Sequence, residues 1–275
     1  MRSAAGRLRI GRAAGPSPYN AGRGEAVDVM RTIVVGATDG LGRALAEAYA
    51  SRGFWVTLVG RDGAKLDAVV SDLKARFPVA TVNGVVCDVA DHARVEAAFQ
   101  DAIAKSSHCD VFVYNAGEMK PGDGLTSVFA DDLPVLEVNV VAAAHWLGLA
   151  ANYFRAAGKG KLVGISSIAG DRGRKGNVTY CASKAALTAY LEGLRNRLAP
   201  FGVQVTTVKP GFVATRMTEG KKGVFWAAPP DVAARTIADR VARGDEVFYV
   251  YRRWALVALV LRLLPRFLFK RFGPP

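Results

Sequence analysis

From position 32 onward, short apolar runs alternate with longer stretches of helical period, and this alternation constrains the fold more than any other feature of the chain. It is the pattern of strands buried on both sides, which a parallel sheet with crossover helices on both faces supplies. The predicted strands are 32–35, 55–59, 81–87, 111–114, 161–165, 204–208 and 246–250. The predicted helices are 40–52, 64–76, 92–105, 133–157, 180–199 and 230–243. The expected fold class is therefore α/β, a doubly wound parallel sheet of about seven strands.

Three segments follow from composition. Residues 1–29 are rich in Ala, Gly and Arg and lack hydrophobic periodicity, so they are expected to form a disordered leader. Met30 stands directly before the first strand and is an alternative start to Met1, while an Arg-rich, acid-poor leader also fits a transit peptide. Residues 30–251 hold the folded domain, and 252–275 form a basic amphipathic tail.

The net charge of +13 raises the question of nucleic acid, and its placement answers it. Five arginines against two acids in the first 30 residues, and six basic residues against none in 252–275, hold nine of those charges. The body of the domain is close to neutral, so no nucleic-acid partner is expected. Cys87, Cys109 and Cys181 are widely separated and lack metal-ligand spacing, which argues for a reducing compartment and no disulfide framework. With only His92, His108 and His145, no metal site is expected.

Two motifs carry chemistry. The first strand runs into Gly36-Ala37-Thr38-Asp39-Gly40-Leu41-Gly42, followed by a helix, and glycines there let backbone approach a pyrophosphate at the helix N-terminus. Its plain alternative is a tight strand-to-helix turn. Farther on, Tyr180 and Lys184 stand four apart in an Ala-rich helix, hence on one face, with Ser167 on a loop upstream. A tyrosine hydroxyl of pKa near ~10 is expected to move toward the working range beside a fixed ammonium, so that Tyr180 can give or take a proton. Ser167 can hold a substrate oxygen meanwhile.

The segment from Ile165 through Ser167 to Tyr180 and Lys184, with Ser167 thirteen positions before Tyr180, resembles the active-site segment of the short-chain dehydrogenase/reductase family. So does the Gly-x-x-x-Gly-x-Gly loop, although Val35 stands where that family has Thr. The resemblance implies a Rossmann fold, Ser167, Tyr180 and Lys184 as catalytic residues with Asn139 as the fourth, and a nicotinamide dinucleotide as cofactor. It implies cofactor contacts at Gly36, Thr38, Asp39, Gly40, Leu41 and Gly42, at Asp88, at Asn115, Ala116 and Gly117, at Tyr180 and Lys184, and at Pro210, Gly211, Val213 and Thr215. Tyr114 replaces the first Asn of the family's usual run, and Asn139 has the alternative of capping or bending its helix. Arg61 after the second strand points to NADP over NAD, with a solvated loop charge as the alternative; Asp39 and Asp62 nearby weigh against a phosphate.

The implied activity is reduction of a ketone, or oxidation of a secondary alcohol, with Tyr180 moving the proton, Ser167 orienting the oxygen and Lys184 binding ribose. The segment 171–175, the run Thr215-Arg216-Met217 and the tail from Leu263 through Phe269 are similar to the decaprenylphosphoryl-2-keto-erythro-pentose reductases. That implies a keto-sugar on a polyprenyl phosphate. A fatty-acyl, steroid or other small ketone, and a non-catalytic NADP-binding role, are the alternatives. The lid is expected between Phe212 and Pro229, including Met217, Phe225 and Trp226. In the tail, Arg262, Arg266 and Lys270 recur every four residues opposite Leu264, Phe267 and Leu268, and Pro265 is expected to kink or divide the helix. The expected setting is cytoplasmic, with peripheral contact at the inner face of the membrane through this tail; closure of the substrate pocket or a subunit contact is the tail's alternative use. Relatives commonly pair through the Tyr180 helix, so a homo-oligomer is expected.

Overall fold

The computed structural model describes residues 29–119, 128–220 and 223–272. The leader, the two lysines of the lid at 221–222 and the last three residues of the tail lie outside them. Seven strands form one parallel sheet: β1 (Arg31–Val35), β2 (Trp55–Gly60), β3 (Val82–Val86), β4 (Val111–Tyr114), β5 (Gly160–Ile165), β6 (Val203–Lys209) and β7 (Val247–Tyr249). Their order is β3-β2-β1-β4-β5-β6-β7, so the chain reverses direction across the sheet between β1 and β4. This is a Rossmann fold. Each predicted strand is present, with ends moved by two residues at most.

Helices cover both faces. On one face α1 (Gly40–Ala50), α2 (Gly63–Arg76) and α7 (Pro230–Arg243) bury Leu45, Tyr49, Leu66, Leu73 and Ile237 against Val34, Leu58 and Val208. On the other, α3 (His92–Ser106), α5 (Ala143–Ala157) and α6 (Val178–Leu198) bury Phe99, Trp146, Phe154, Leu187 and Leu194 against Ile33, Val35 and Phe112. Alternate residues of β1 thus serve opposite cores, which is why Ile33, Val34 and Val35 are all apolar. Burying a side chain of this size contributes ~1.5–3 kcal/mol. The helix ends follow local chemistry: Asp39 and Asp62 cap α1 and α2 by accepting from backbone N–H groups, and α7 opens on Pro230 and ends before Gly244 at φ 90°.

One expectation is corrected. The helix predicted at 133–157 begins earlier, as α4 (Phe129–Leu136), and passes through a π-helical segment, Glu137–Ala142, before α5. The added first turn carries Asp131 and Asp132, acids suited to a helix N-terminus, and Pro134 lies inside α4. The π segment has a tertiary cause: buried Tyr114 donates from its hydroxyl to the Val138 carbonyl at 2.7 Å, and Asn139 is drawn to the backbone of Glu118 on both sides of its amide. The tail forms α8 (Arg252–Leu263) and α9 (Arg266–Phe272), broken before Pro265 as expected, since the preceding Leu264 takes an extended ψ of 125°.

Tyr114→Phe should therefore lower stability by ~1–3 kcal/mol, because the Val138 carbonyl loses its partner in a buried setting. Denaturant melts of the variant and the parent check this; an unchanged midpoint would mean that water replaces the hydroxyl.

Candidate active site

The sheet gathers the predicted residues at the carboxyl ends of β1, β2, β4, β5 and β6. At β1, Gly36 adopts φ 80° and Gly40 φ 52°, conformations open to glycine. A Cβ on Gly36 would stand 2.7 Å from the Ala116 backbone, and one on Gly42 would stand 1.9 Å from the Gly36 carbonyl oxygen. Asn115 fastens the loop by donating from Nδ2 to the Gly36 carbonyl at 2.9 Å. Asp39 caps α1 by accepting from Gly40 N at 2.7 Å, so the helix presents its N-terminus beside this bare backbone. The cradle fits a pyrophosphate, which needs close backbone approach and favours a helix N-terminus. Thr38 of the loop packs its methyl toward Gly60, and Thr215, expected in the segment that seats the nicotinamide, reaches toward Gly40.

Around Arg61 the structure sorts the charges that sequence left in conflict. Asp62 accepts from Lys65 N at 3.1 Å and pairs with its ammonium at 3.6 Å, while Asp39 pairs with Arg216 at 3.1 Å. Both carboxylates are occupied, and among the described residues Arg61 makes no ion pair. Asp88 holds its own turn by accepting from Ala90 N at 3.1 Å.

The predicted catalytic residues meet between β5 and α6. Ser167 follows β5 in extended backbone and opens a short 3-10 turn, Ile168–Asp171, with its Oγ accepting from Ala169 N at 3.1 Å. That turn lies against α6 so tightly that a Cβ on Gly170 would stand 2.7 Å from the Lys184 carbonyl. The Ser167 hydroxyl lies near enough to Tyr180 to act on its phenol, favouring the ionised form. Lys184 is 4% exposed and donates from Nζ to the Ile165 carbonyl at 3.1 Å. An ammonium has three donors, so two remain for the hydroxyls of a ribose. Ser166 secures the helix from below, donating to the Lys184 carbonyl at 2.9 Å.

Asn139 is fully buried, with Oδ1 accepting from Glu118 N and Nδ2 donating to both Glu118 O and Ser183 Oγ, at 2.8–2.9 Å. Both donors are used. Any further role at a water falls to acceptor capacity alone.

The electrostatics differ from expectation at Tyr180. Burial raises its pKa, and the opposing influences are the Ser167 hydroxyl and the charge of Arg174, not Lys184. Lys184 Nζ lies 5.8 Å from the Tyr180 ring centroid and spends a donor on Ile165. Burial also lowers Lys184, to about 8, because a desolvated ammonium is disfavoured. Arg174 was missed in the sequence; the one signal for it was its place between the two catalytic residues.

Beyond β6, Pro210 and Gly211 stand beside the Ser167 turn, with Ile168 N donating to the Pro210 carbonyl at 3.0 Å. A buried ion pair joins the same two segments: Lys209 Nζ meets Asp171 Oδ1 at 2.6 Å, and Tyr249 donates to Asp171 Oδ2 at 2.8 Å. Val213 bridges to Ala228, which closes the base of the lid. Above them Phe212, Phe225, Trp226 and Trp254 form an aromatic cluster with ring centroids 5.2–5.9 Å apart. Trp254, from α8, lies so close that a Cβ on Gly211 would overlap its indole. Trp254 is the second residue that sequence did not assign to the site, because it sits on the tail, forty positions downstream.

Residues 31–223 match the family model described as short chain dehydrogenase. The chain belongs to the short-chain dehydrogenase family. It is an NAD(P)-dependent oxidoreductase acting on CH–OH groups. A 3-oxoacyl-[acyl-carrier-protein] reductase of Aquifex aeolicus is 33% identical over 68% of this chain and 75% of its own length. An uncharacterized oxidoreductase of Mycobacterium tuberculosis is 28% identical over 89% of this chain and 97% of its own. Among solved structures, a short-chain dehydrogenase from Streptomyces avermitilis superposes with TM-score 0.73 at 27% identity, covering 84% of this chain and 91% of that one. One from Sphingobium yanoikuyae, in complex with NADPH, gives TM-score 0.75 at 24% identity over 83% and 92%.

For this short-chain dehydrogenase, Tyr180→Phe should reduce turnover at least a hundredfold while NADPH affinity stays within about twofold, since the ring remains and only the transferable proton is lost. Stopped-flow turnover and fluorescence titration of NADPH separate the two. Reductive kcat/KM on a water-soluble ketone should also fall as pH rises through about 8, where Lys184 loses its proton. Lys184→Arg keeps its charge at all such pH values and should move the fall upward; an unmoved limb would assign it to another group.

Proposed function

We propose that the protein is an NADP-dependent reductase of a ketone carried on a long apolar chain, and that a keto-sugar on a polyprenyl phosphate is the substrate that fits best. The observation that carries this reading is the aromatic cluster of Phe212, Phe225, Trp226 and Trp254 beside Pro210 and Gly211. It forms an apolar wall where a chain attached to the reacting carbon would leave the site. Arg174 supports the phosphate: its charge is felt at Tyr180, and its Nε is buried with no hydrogen-bond partner among the described residues. A donor of that kind is costly unless an acceptor arrives.

The bound nicotinamide supplies the hydride. Ser167 and Tyr180 hold the ketone oxygen, Tyr180 delivers its proton there, and Lys184 holds the ribose. Arg61, free of the acids beside it, suits the 2′-phosphate of NADP. The Aquifex aeolicus relative favours a second reading, a 3-ketoacyl chain on a carrier, which would use the same residues.

NADPH oxidation measured on a polyprenyl-phosphate keto-sugar, on acetoacetyl thioesters and on simple cyclic ketones tests the choice. The first should give the highest kcat/KM; a higher value on the thioester would replace it with the second reading. Arg61→Ala should raise KM for NADPH at least about tenfold and leave that for NADH unchanged, the loss of one charge-assisted contact. Equal losses for both cofactors would remove Arg61 from that role.

A further inference from the structure

We infer that α8 and α9 dock the enzyme on an anionic lipid surface through the side of α8 turned away from the domain. The helix is apolar around most of its circumference, yet only one side is covered. Trp254 and Ala258 are buried, and Leu261 and Leu264 offer their carbonyls to the Arg172 guanidinium, which also lies 4.0 Å over the Phe269 ring. A cation at the end of α8 suits the helix dipole as well as its unpaired carbonyls. This inner side is fixed to the Ser167 turn.

On the opposite side, Leu256, Leu259, Val260 and Leu263 recur at i, i+3, i+4 and i+7 and are 51–73% exposed, and Phe267 of α9 extends the row at 71%. A soluble helix places such a row against a core. Here none of the described residues covers it. Charge selects the occupant. Arg252, Arg253, Arg262, Arg266, Lys270 and Arg271 border the row, and no acid occurs after Glu246. An apolar row edged by cations, of which Arg262 lies 4.0 Å from the Asp171 carboxylate and none meets an acid from the tail itself, complements anionic headgroups over acyl chains. Twelve residues in α8 give a helix of ~18 Å, too short to span a bilayer, so the contact lies in the plane of the surface.

The inference concerns the surface and holds for any ketone, so its test uses no substrate. The full chain is floated with phosphatidylglycerol vesicles and with phosphatidylcholine vesicles, at low and high salt. Most of the protein should float with the first at low salt, and about tenfold less with the second or at high salt. Leu259→Glu/Leu263→Glu should abolish flotation while NADPH-dependent reduction of a soluble ketone continues. Should that variant fail to fold, Arg266→Ser/Lys270→Ser should still reduce flotation on phosphatidylglycerol about tenfold. Protein that stays in the supernatant with both vesicles overturns the inference, as does equal flotation of the variants. A wild-type dimer in lipid-free sedimentation that becomes a monomer in the Glu variant, with no flotation of either, would make a second copy of this chain the occupant instead.

Discussion

Every strand of this sheet runs the same way, and the site depends on that single constraint. Because the strands are parallel, each segment that leaves a strand's carboxyl end emerges at the same edge, however far apart the segments lie in sequence. The Gly36 loop, Asn115 to Gly117, Ser167 and Pro210 leave β1, β4, β5 and β6, which are neighbours in the sheet. From β1 to β6 is three strand spacings, roughly 14 Å. A dinucleotide laid along that edge meets the bare-backbone loop at one end and Tyr180 and Lys184 at the other. The reversal of strand order between β1 and β4 sends the flanking helices to opposite faces and leaves the crevice between them.

An edge crowded with polar groups and closed from water needs each group partnered, and the domain meets that need with a chain of internal bonds. Asn139 holds Glu118 and Ser183, Ser183 holds the Tyr180 carbonyl, and Ser166 holds the Lys184 carbonyl and Thr188. The buried Asp171–Lys209 pair belongs to the same set. Pairs of this kind contribute little net stability, since desolvation offsets most of the attraction, but removing one member strands the other. What the pair does contribute is position. It locks the end of the Ser167 turn onto the last residue of β6, immediately before Pro210, so the turn and the segment beside it cannot move independently.

Sequence carried the sheet because its strands are short runs rich in apolar and β-branched residues, and that signal is local. It carried Ser167, Tyr180 and Lys184 for a related reason: their spacing lies within one strand-turn-helix unit. What it could not carry is contact between remote segments. The π-helical stretch has the same apolar character as the α-helix around it, and its cause lies at Tyr114 and Glu118, about twenty residues upstream. The resemblance marked Tyr114 as a departure in a cofactor motif, whereas its hydroxyl points away from the loop to the carbonyl of Val138. Likewise Tyr180 was assigned its cation from i,i+4 spacing, but a four-residue step fixes only the face of the helix; the Ile165 carbonyl decides where the ammonium of Lys184 points.

The tail shows how two readings that sequence set against each other are separated by geometry. Periodicity placed Leu264, Phe267 and Leu268 on one apolar face and asked whether it closes the site or meets a partner. The break before Pro265 divides that face: Leu264 and Leu268 are half-buried, while Phe267 turns outward with Leu256, Leu259, Val260 and Leu263. Closure therefore belongs to the inner side, where Trp254 completes the aromatic wall over Gly211. The outer side is left with a separate task. Because both sides belong to one helix and Arg172 ties its end to the turn that carries Ser167, whatever covers the outer row bears directly on the aromatic wall over Gly211.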